Sequence, residues 1–333
     1  MFKKIIFLIF KNNYRYYALG NFGKSKKYLN YRIISLGGRL QSFIGIIFYY
    51  LNIGKFISID GNPFLKNQKN SINVWFTGTT LKILTKFRGY KNNYVNMHNP
   101  ITYEEKKIFQ IYPIILKKNF FYKNPKIIFM GKFYFKPDKR ILKASYLSKK
   151  KNDFLNNFSL IDDKNFWHKS HENININQIF EKYKIIKTYL REQIILHISK
   201  NFKKKFYIYG EDRKNVGMNI LEPEYDNIKV KRIYEGNICI DTGSVLGSLS
   251  LHPRSIQILE SNGLLIQARQ NDYKEVWGDL NGKIVFNNID NLLNGIELMM
   301  SNKNIFEEYL NLIYEKFLNS EQKIAHTLDS VFK

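Results

Sequence analysis

The chain has 333 residues, 44% of them hydrophobic and 16% aromatic, which is enough to fill the cores of two ordinary domains and excludes wholesale disorder. Its single cysteine, Cys239, excludes a disulfide framework and a cysteine-based zinc site, and suits a reducing, cytoplasmic compartment. The formal net charge of +25 points toward nucleic acid or an anionic membrane, but lysine outnumbers arginine 43 to 10 and Asn, Ile, Tyr and Phe abound. These are residues of A/T-rich codons, so composition accounts for much of the excess and nucleic acid is not the expected partner.

Along the chain, KIIFLI (4–9) predicts a short apolar strand. MFKKIIFLIF (1–10) is too short to span a membrane and carries no cleavage site. Apolar spacing predicts a helix over 38–53. Its densest part, SFIGIIFYYL (42–51), is broken by Asn52, Gly54 and Lys55, short of the roughly 20 residues of a membrane span, and reads as a buried core helix, with contact to a membrane surface as the alternative. FISI (56–59) and INVWFTG (72–78) predict two more strands, and strand–helix–strand order implies a parallel sheet with crossover helices. Asp60-Gly61-Asn62-Pro63 and His98-Asn99-Pro100 are turn signals.

Residues 104–125 are polar and mixed, interrupted by Pro113 and Pro125, and a domain boundary is expected near 110–125. KIIFMG (126–131) opens a fresh pattern. A charged, helix-rich insert follows at about 138–200, with a long helix at 174–200. KKFYIYG (204–210), NICID (237–241), GLLIQ (263–267) and KIVF (283–286) predict further strands, with helices at about 253–261, 289–300 and 304–318. The expected class is α/β, with small or charged residues at the carboxyl ends of the strands, where doubly wound sheets bind ligands.

Three places carry chemistry. Gly131-Lys132 and Gly210-Glu211-Asp212-Arg213 each follow an apolar strand; a Gly lets the backbone approach a ligand and the cation reaches a phosphate, or both are plain strand-to-loop turns. There is no GxGxxG and no GxxxxGK[ST], so neither a dinucleotide oxidoreductase nor a P-loop NTPase is indicated. The third place is GSVLGSLSLHPRSIQ (243–257), a small-residue loop with Ser248, then His252, Pro253 at the first helical position, and Arg254. A cation in a helix's first turn opposes the dipole. Either it is a solvated surface Arg, or an anion sits there, held by free N–H groups, His252 and a charge-assisted Arg254 contact. In the first half, His98 and Asp60 are candidate bases, or simply turn residues. His168 and His171 lack an evident third ligand.

R-x-I-Q-x-x-x-x-N-G-L-L-I at 254–266 resembles the R-x-x-E-x-x-x-x-G-G-x-L-L stretch of the spore-maturation-type glycosyltransferases, group-1 relatives with the GT-B fold. KIIFMGK followed by Arg140, KKFYIYGED, NGKIVFNNIDNLLNGIELM (281–299) and His326-Thr327 extend the likeness over roughly 125–330. In the first 120 residues only VWFTGT (74–79) and KNNYVNMHNP (91–100) resemble family segments, and weakly.

The resemblance implies two Rossmann-like domains with a cleft between them. Residues 1–120 would be the acceptor side, 121–315 the donor domain, and 316–333 a tail helix crossing back. It implies transfer of a sugar from a nucleotide-sugar donor, the expected acceptor being a glycan, lipid-linked saccharide or protein of the cell envelope; the basic charge adds the expectation of peripheral contact with an anionic membrane. It implies no metal, because helix dipole, backbone N–H groups and basic side chains stabilise the leaving diphosphate. Donor-binding positions would be Gly131, Lys132, Gly210, Arg213, Ser248, His252, Arg254, Gln257, Asn262 and Gly263. Gln257 stands where the family has Glu, and Asn262 where it commonly has Gly. Gln hydrogen-bonds hydroxyls but cannot serve as a base. A degenerate nucleotide-sugar or glycan binder, and a basic nucleic-acid-binding protein, are the competing readings.

Overall fold

The structure, a computed structural model, describes residues 4–10, 19–37, 39–59, 65, 70–75, 93–95, 107–116, 122, 124–131, 153–162, 176–210, 218–244, 249–270 and 272–332. The first half runs β1 (Ile5–Phe10), β2 (Lys26–Tyr28), β3 (Tyr31–Leu36), α1 (Arg39–Tyr50), β4 (Lys55–Ile59), β5 (Ser71–Trp75), β6 (Asn93–Val95) and β7 (Lys107–Ile108). These strands form one sheet in the order β2-β3-β1-β4-β5-β6-β7. Every pairing is parallel except β2 on β3. β1, IIFLIF, is apolar throughout because a parallel strand is covered on both faces. Its alternate residues enter different cores: Ile6, Leu8 and Phe10 one, Phe7 and Ile9 the other.

The second half runs β8 (Ile127–Met130), α2 (Ile176–Phe202), β9 (Phe206–Tyr209), β10 (Asn219–Leu221), α3 (Asn227–Tyr234), β11 (Ile238–Asp241), α4 (Pro253–Glu260), β12 (Leu264–Ala268), α5 (Tyr273–Trp277), β13 (Val285–Phe286), α6 (Ile289–Ser301), α7 (Lys303–Phe317) and α8 (Ser320–Val331). Its sheet is wholly parallel, in the order β10-β9-β8-β11-β12-β13. Counted within this half, that is 3-2-1-4-5-6, the order of the dinucleotide-type Rossmann sheet, whose strand direction of travel reverses between β8 and β11. The protein is therefore α/β, as the strand pattern led us to expect, with two Rossmann-like halves, as the family resemblance implied.

Two expectations need correcting. The long helix in the charged section is not part of an insert. α2 is the crossover between β8 and β9, and Tyr183, Ile186, Leu190, Ile194 and Ile198 on it are buried in the second core. Nor is α1 a buried helix. It packs through Gly45 and Tyr49, while Leu40, Phe43, Ile47 and Tyr50 are exposed. A β-carbon on Gly45 would stand 2.6 Å from Leu36 Cδ1 and 2.9 Å from Ile9 Cδ1, so this close seat on the sheet decides which face turns inward.

The last helix, α8, lies against the first half. Ile324, Ala325 and Leu328 join the core beneath Ile6 and Leu8. Lys26 Nζ pairs with Glu321 at 2.9 Å, the Tyr31 hydroxyl donates to Asp329, and Lys55 Nζ donates to the Phe332 carbonyl.

Candidate anion site at the strand-order switch

The switch point of the second sheet lies at the carboxyl ends of β8 and β11, and three elements converge there. β8 ends on Gly131, whose φ of +151° suits only glycine and whose N–H donates to the Tyr209 carbonyl at 2.9 Å. A β-carbon at Gly131 would stand 2.8 Å from Arg254 Nη2, so the bare backbone is what lets the guanidinium lie across the strand end. Arg254 Cζ is 5.6 Å from the centre of the Phe129 ring. Gly210, ending β9, abuts the same turn: its β-carbon would be 2.1 Å from the Gly131 carbonyl oxygen. That neighbour is backbone and cannot give way, so Gly210→Ala is expected to lower stability by about 1–3 kcal/mol in urea denaturation, with weaker anion binding.

β11 ends on Asp241, fully buried. Its Oδ1 accepts the Gly243 N–H at 3.0 Å, and its Oδ2 accepts Gln267 Nε2 at 2.9 Å and His252 Nε2 at 2.8 Å. Gln267 is fixed in turn by Trp277, whose indole N–H reaches its Oε1 at 3.0 Å. Burial alone would push the Asp241 carboxyl up. His252, Arg254 and Gln267 outweigh burial and hold it well below the usual carboxylate range.

α2 supplies a second cation. Lys187 and Arg191 lie one turn apart on its buried stripe. Arg191 donates from Nε to Thr242 Oγ1 at 3.0 Å and from Nη2 to the Gly243 carbonyl at 2.8 Å. Burial, then the facing Arg254, lower its pKa to about 9, while Asp241 works the other way. Among the described residues, neither guanidinium is hydrogen-bonded to a carboxylate. Two cations that repel each other, one buried and one half-buried, near one shared buried anion, make a site that favours added negative charge.

The start of α4 differs from expectation. His252 is its N-cap: the ring accepts the Arg254 N–H at 3.4 Å through Nδ1, which leaves the Nε2 hydrogen for Asp241. Ser255 closes the capping box by accepting the His252 N–H at 2.8 Å. The first-turn N–H groups are consumed by this cap and Pro253 has none, so side chains rather than the helix terminus face an anion. With both ring nitrogens engaged, His252 positions the helix start and Asp241.

The remaining predicted positions are dispersed. Gln257 gives its Nε2 to Asn227 Oδ1 at 3.3 Å, against α3. Asn262 (φ +55°) and Gly263 form the stop of α4: their N–H groups reach the Leu259 and Ile258 carbonyls at 3.2 and 3.1 Å, a Schellman pattern. That end is about 12 Å of helix rise from Arg254. Lys132, Arg213, Ser248, His98 and Asp60 lie outside the described residues, as do His168 and His171. Sequence reasoning missed Arg191 and Asp241. The available signal was the pair of cations, Lys187 and Arg191, on the same stripe as Tyr183 and Ile194. Among the described residues, no group of three or more His, Cys, Asp or Glu is arranged to hold a metal.

Fold and site together define an α/β protein of two Rossmann-like halves, with two arginines and a buried carboxylate gathered at the switch point of the second. No protein-family model matches the chain. No curated protein matches it in sequence. Among solved structures it is similar to the DNA-modifying enzyme beta-glucosyltransferase, studied with and without uridine diphosphoglucose (12% identity, 99% of each chain, TM-score 0.43). It is also similar to a mutant of T4 phage BGT in complex with UDP-glucose (10% identity, 98% of each chain, TM-score 0.47). A third likeness is to TarM (14% identity, 84% of this chain and 51% of that one, TM-score 0.40). Likenesses at this level assign no role to any residue here.

Proposed function

We propose that the chain is a glycosyltransferase of GT-B type that takes a sugar from a nucleoside-diphosphate donor bound at the switch point of its second half. One observation carries the reading: the buried Arg191 and the half-buried Arg254 converge at the ends of β8 and β11, without a carboxylate hydrogen-bond partner among the described residues. Such a pair supplies preorganised positive charge where a leaving diphosphate gains negative charge, the task a divalent cation performs in other designs. Gly131 and Gly210 let the strand ends and the Arg254 guanidinium pack closely, which holds that cation at the switch point where a ligand's phosphates would lie. The acceptor belongs to the first half in this reading, and a glycan, a lipid-linked saccharide and a protein are its candidate classes. The spore-maturation-type family supplies the motif likeness at 254–266.

Isothermal titration with a panel of nucleoside diphosphates, with and without magnesium or manganese, tests the proposal. One diphosphate is expected to bind. Arg254→Ala is expected to weaken it by about 1.5–3 kcal/mol, roughly 10- to 100-fold, through loss of a charge-assisted contact. No binding across the panel, or unchanged affinity in the variant, overturns it.

A degenerate, non-catalytic binder is the second reading. It is favoured by Gln257, which lacks the carboxylate and is hydrogen-bonded to Asn227. Donor hydrolysis or transfer by the wild type, measured beside Gln257→Glu, separates the two.

A further inference from the structure

α1 presents the reverse of an ordinary surface helix. From Leu40 to Leu51 it holds no charged residue, and its only non-aromatic polar side chains are Gln41 and Ser42. Gly45 and Tyr49 face the sheet. Outward stand Leu40 (73% exposed), Phe43 (59%), Ile44 (40%), Ile47 (43%), Tyr50 (61%) and Leu51 (61%). The spacing 40-43-44-47-51 is a single helical stripe, so these side chains form one continuous apolar face. A contiguous apolar face of that size on a protein surface marks an interaction site.

The charge around it is one-sided. Residues 1–59 contain ten Lys and Arg and no Asp or Glu; residues 1–125 contain 21 against three. The overall charge of +25 is thus concentrated in this half. Beside α1, Arg32 alternates with Ile34 and Leu36 and so shares their face of the sheet, the face α1 covers. Lys27 is its register partner on β2, and both cations are exposed.

We propose that α1 lies in the headgroup–acyl boundary of an anionic membrane, with its apolar stripe toward the acyl chains and Lys27 and Arg32 among the headgroups. A second copy of the chain would bring like charge against like charge. Nucleic acid would match the cations and leave six large apolar side chains without a partner. An anionic bilayer matches both features, because it carries negative charge over a hydrocarbon interior. At 12 residues α1 spans about 18 Å and lies in the plane of the interface; no described helix is long and apolar enough to cross. The placement stands without the transferase reading. Joined to it, it favours a lipid-linked saccharide among the three acceptor classes.

The test is cosedimentation of the full chain with phosphatidylcholine vesicles, with and without about one third phosphatidylglycerol. Binding is expected on the anionic vesicles and about tenfold or more weaker on the neutral ones. Phe43→Ser combined with Ile47→Ser, at exposed positions, is expected to reduce binding about tenfold or more, with thermal unfolding and diphosphate affinity unchanged. Lys27→Glu combined with Arg32→Glu should reduce it similarly at low salt, and added salt should reduce the difference. As an independent measurement, the indole emission of a Phe43→Trp variant should shift to the blue on anionic vesicles and be quenched by brominated lipid. Equal binding in the Phe43/Ile47 variant, no binding to either vesicle, or indole emission from Phe43→Trp that brominated lipid leaves unquenched overturns the proposal. So does a dimer in ultracentrifugation that the Phe43/Ile47 variant dissociates, or single-stranded DNA retention that the same variant abolishes. Because diphosphate binding is read separately, failure here leaves the transferase reading to its own experiment.

Discussion

Asp241→Asn is expected to lower the unfolding free energy by about 3–5 kcal/mol, because it removes the charged partner of a buried ion network while leaving the cations in place. Asp241 accepts hydrogen bonds from His252, Gln267 and the Gly243 backbone, and it is the buried carboxylate that offsets Arg191 and Arg254. An Asn presents one oxygen to these donors and turns an NH2 group on the rest. Its neutral side chain no longer lowers the energy of two facing guanidiniums. Urea denaturation at neutral pH measures the loss.

The sign of the pH dependence is fixed by the direction of the shift. The folded carboxyl sits below its ordinary value of 3.8, so its contribution is present above that value and is lost as pH falls through the folded one. The wild type should therefore show an acid limb below about pH 4 that the Asn variant lacks. A tight diphosphate should restore part of the variant's stability, since at a hundredfold excess over its dissociation constant a ligand adds about 2.7 kcal/mol. A variant as stable as the wild type would show that the two cations are hydrated rather than held by Asp241.

Glu260→Ala is the second large effect, expected to cost about 2–4 kcal/mol. Glu260 closes α4 at the end opposite Arg254, and its carboxylate reaches into the other half of the molecule. Oε2 accepts the Asn21 N–H at 2.6 Å and Oε1 the Ile114 N–H at 3.0 Å. Gly20 leaves space for it: a β-carbon there would be 2.3 Å from Oε2. Ile256 on the same helix joins the first half's core. One short helix thus carries the site at its start and an interdomain tie at its end. Alanine leaves two backbone N–H groups without their acceptor, and hydrogen exchange at Asn21 and Ile114 should accelerate.

Burial pushes the Glu260 acid from 4.5 up to about 7; the two backbone donors, Lys24 and Lys26 only partly offset it. A raised folded value means the contribution is complete below the unfolded value and declines as pH rises through the folded one. Wild-type stability should fall, by roughly 3 kcal/mol at most, between about pH 4.5 and 7. Glu260→Gln, which carries no charge, should flatten that slope. A slope unchanged in the Gln variant would assign it to another group, Asp272 being the nearest in character, since burial raises its acid to about 6.

Local features explain how much of this was legible beforehand. IIFLIF, IIFM and ICID announced their strands because a parallel strand buried on both faces has no polar alternation to confuse the reading. β2 (KKY) and β10 (NIL) are three-residue edge strands, too short and too mixed in character to give such a signal. The ends of α4 could be read from Pro253 and from Asn262-Gly263, because helix caps are made by residues adjacent in sequence. The family likeness places Asn262 and Gly263 among donor-binding positions; their backbone N–H groups are engaged in ending the helix.

What the sequence determined by itself was the position of the long apolar strands and main helices, and a cation placed one residue inside α4. Periodicity and capping act over a few residues, and such rules can be read in one dimension. The tertiary structure alone decided which residues meet. Arg191 joins Gly243 across 52 residues, Asp241 joins His252 across 11, and Glu260 joins Asn21 across 239. It also decided that α1 keeps its apolar side outward, through the one close seat of Gly45 against Ile9 and Leu36. Those outcomes depend on how two sheets twist and where crossover helices land, and packing settles them only when the whole chain is in place.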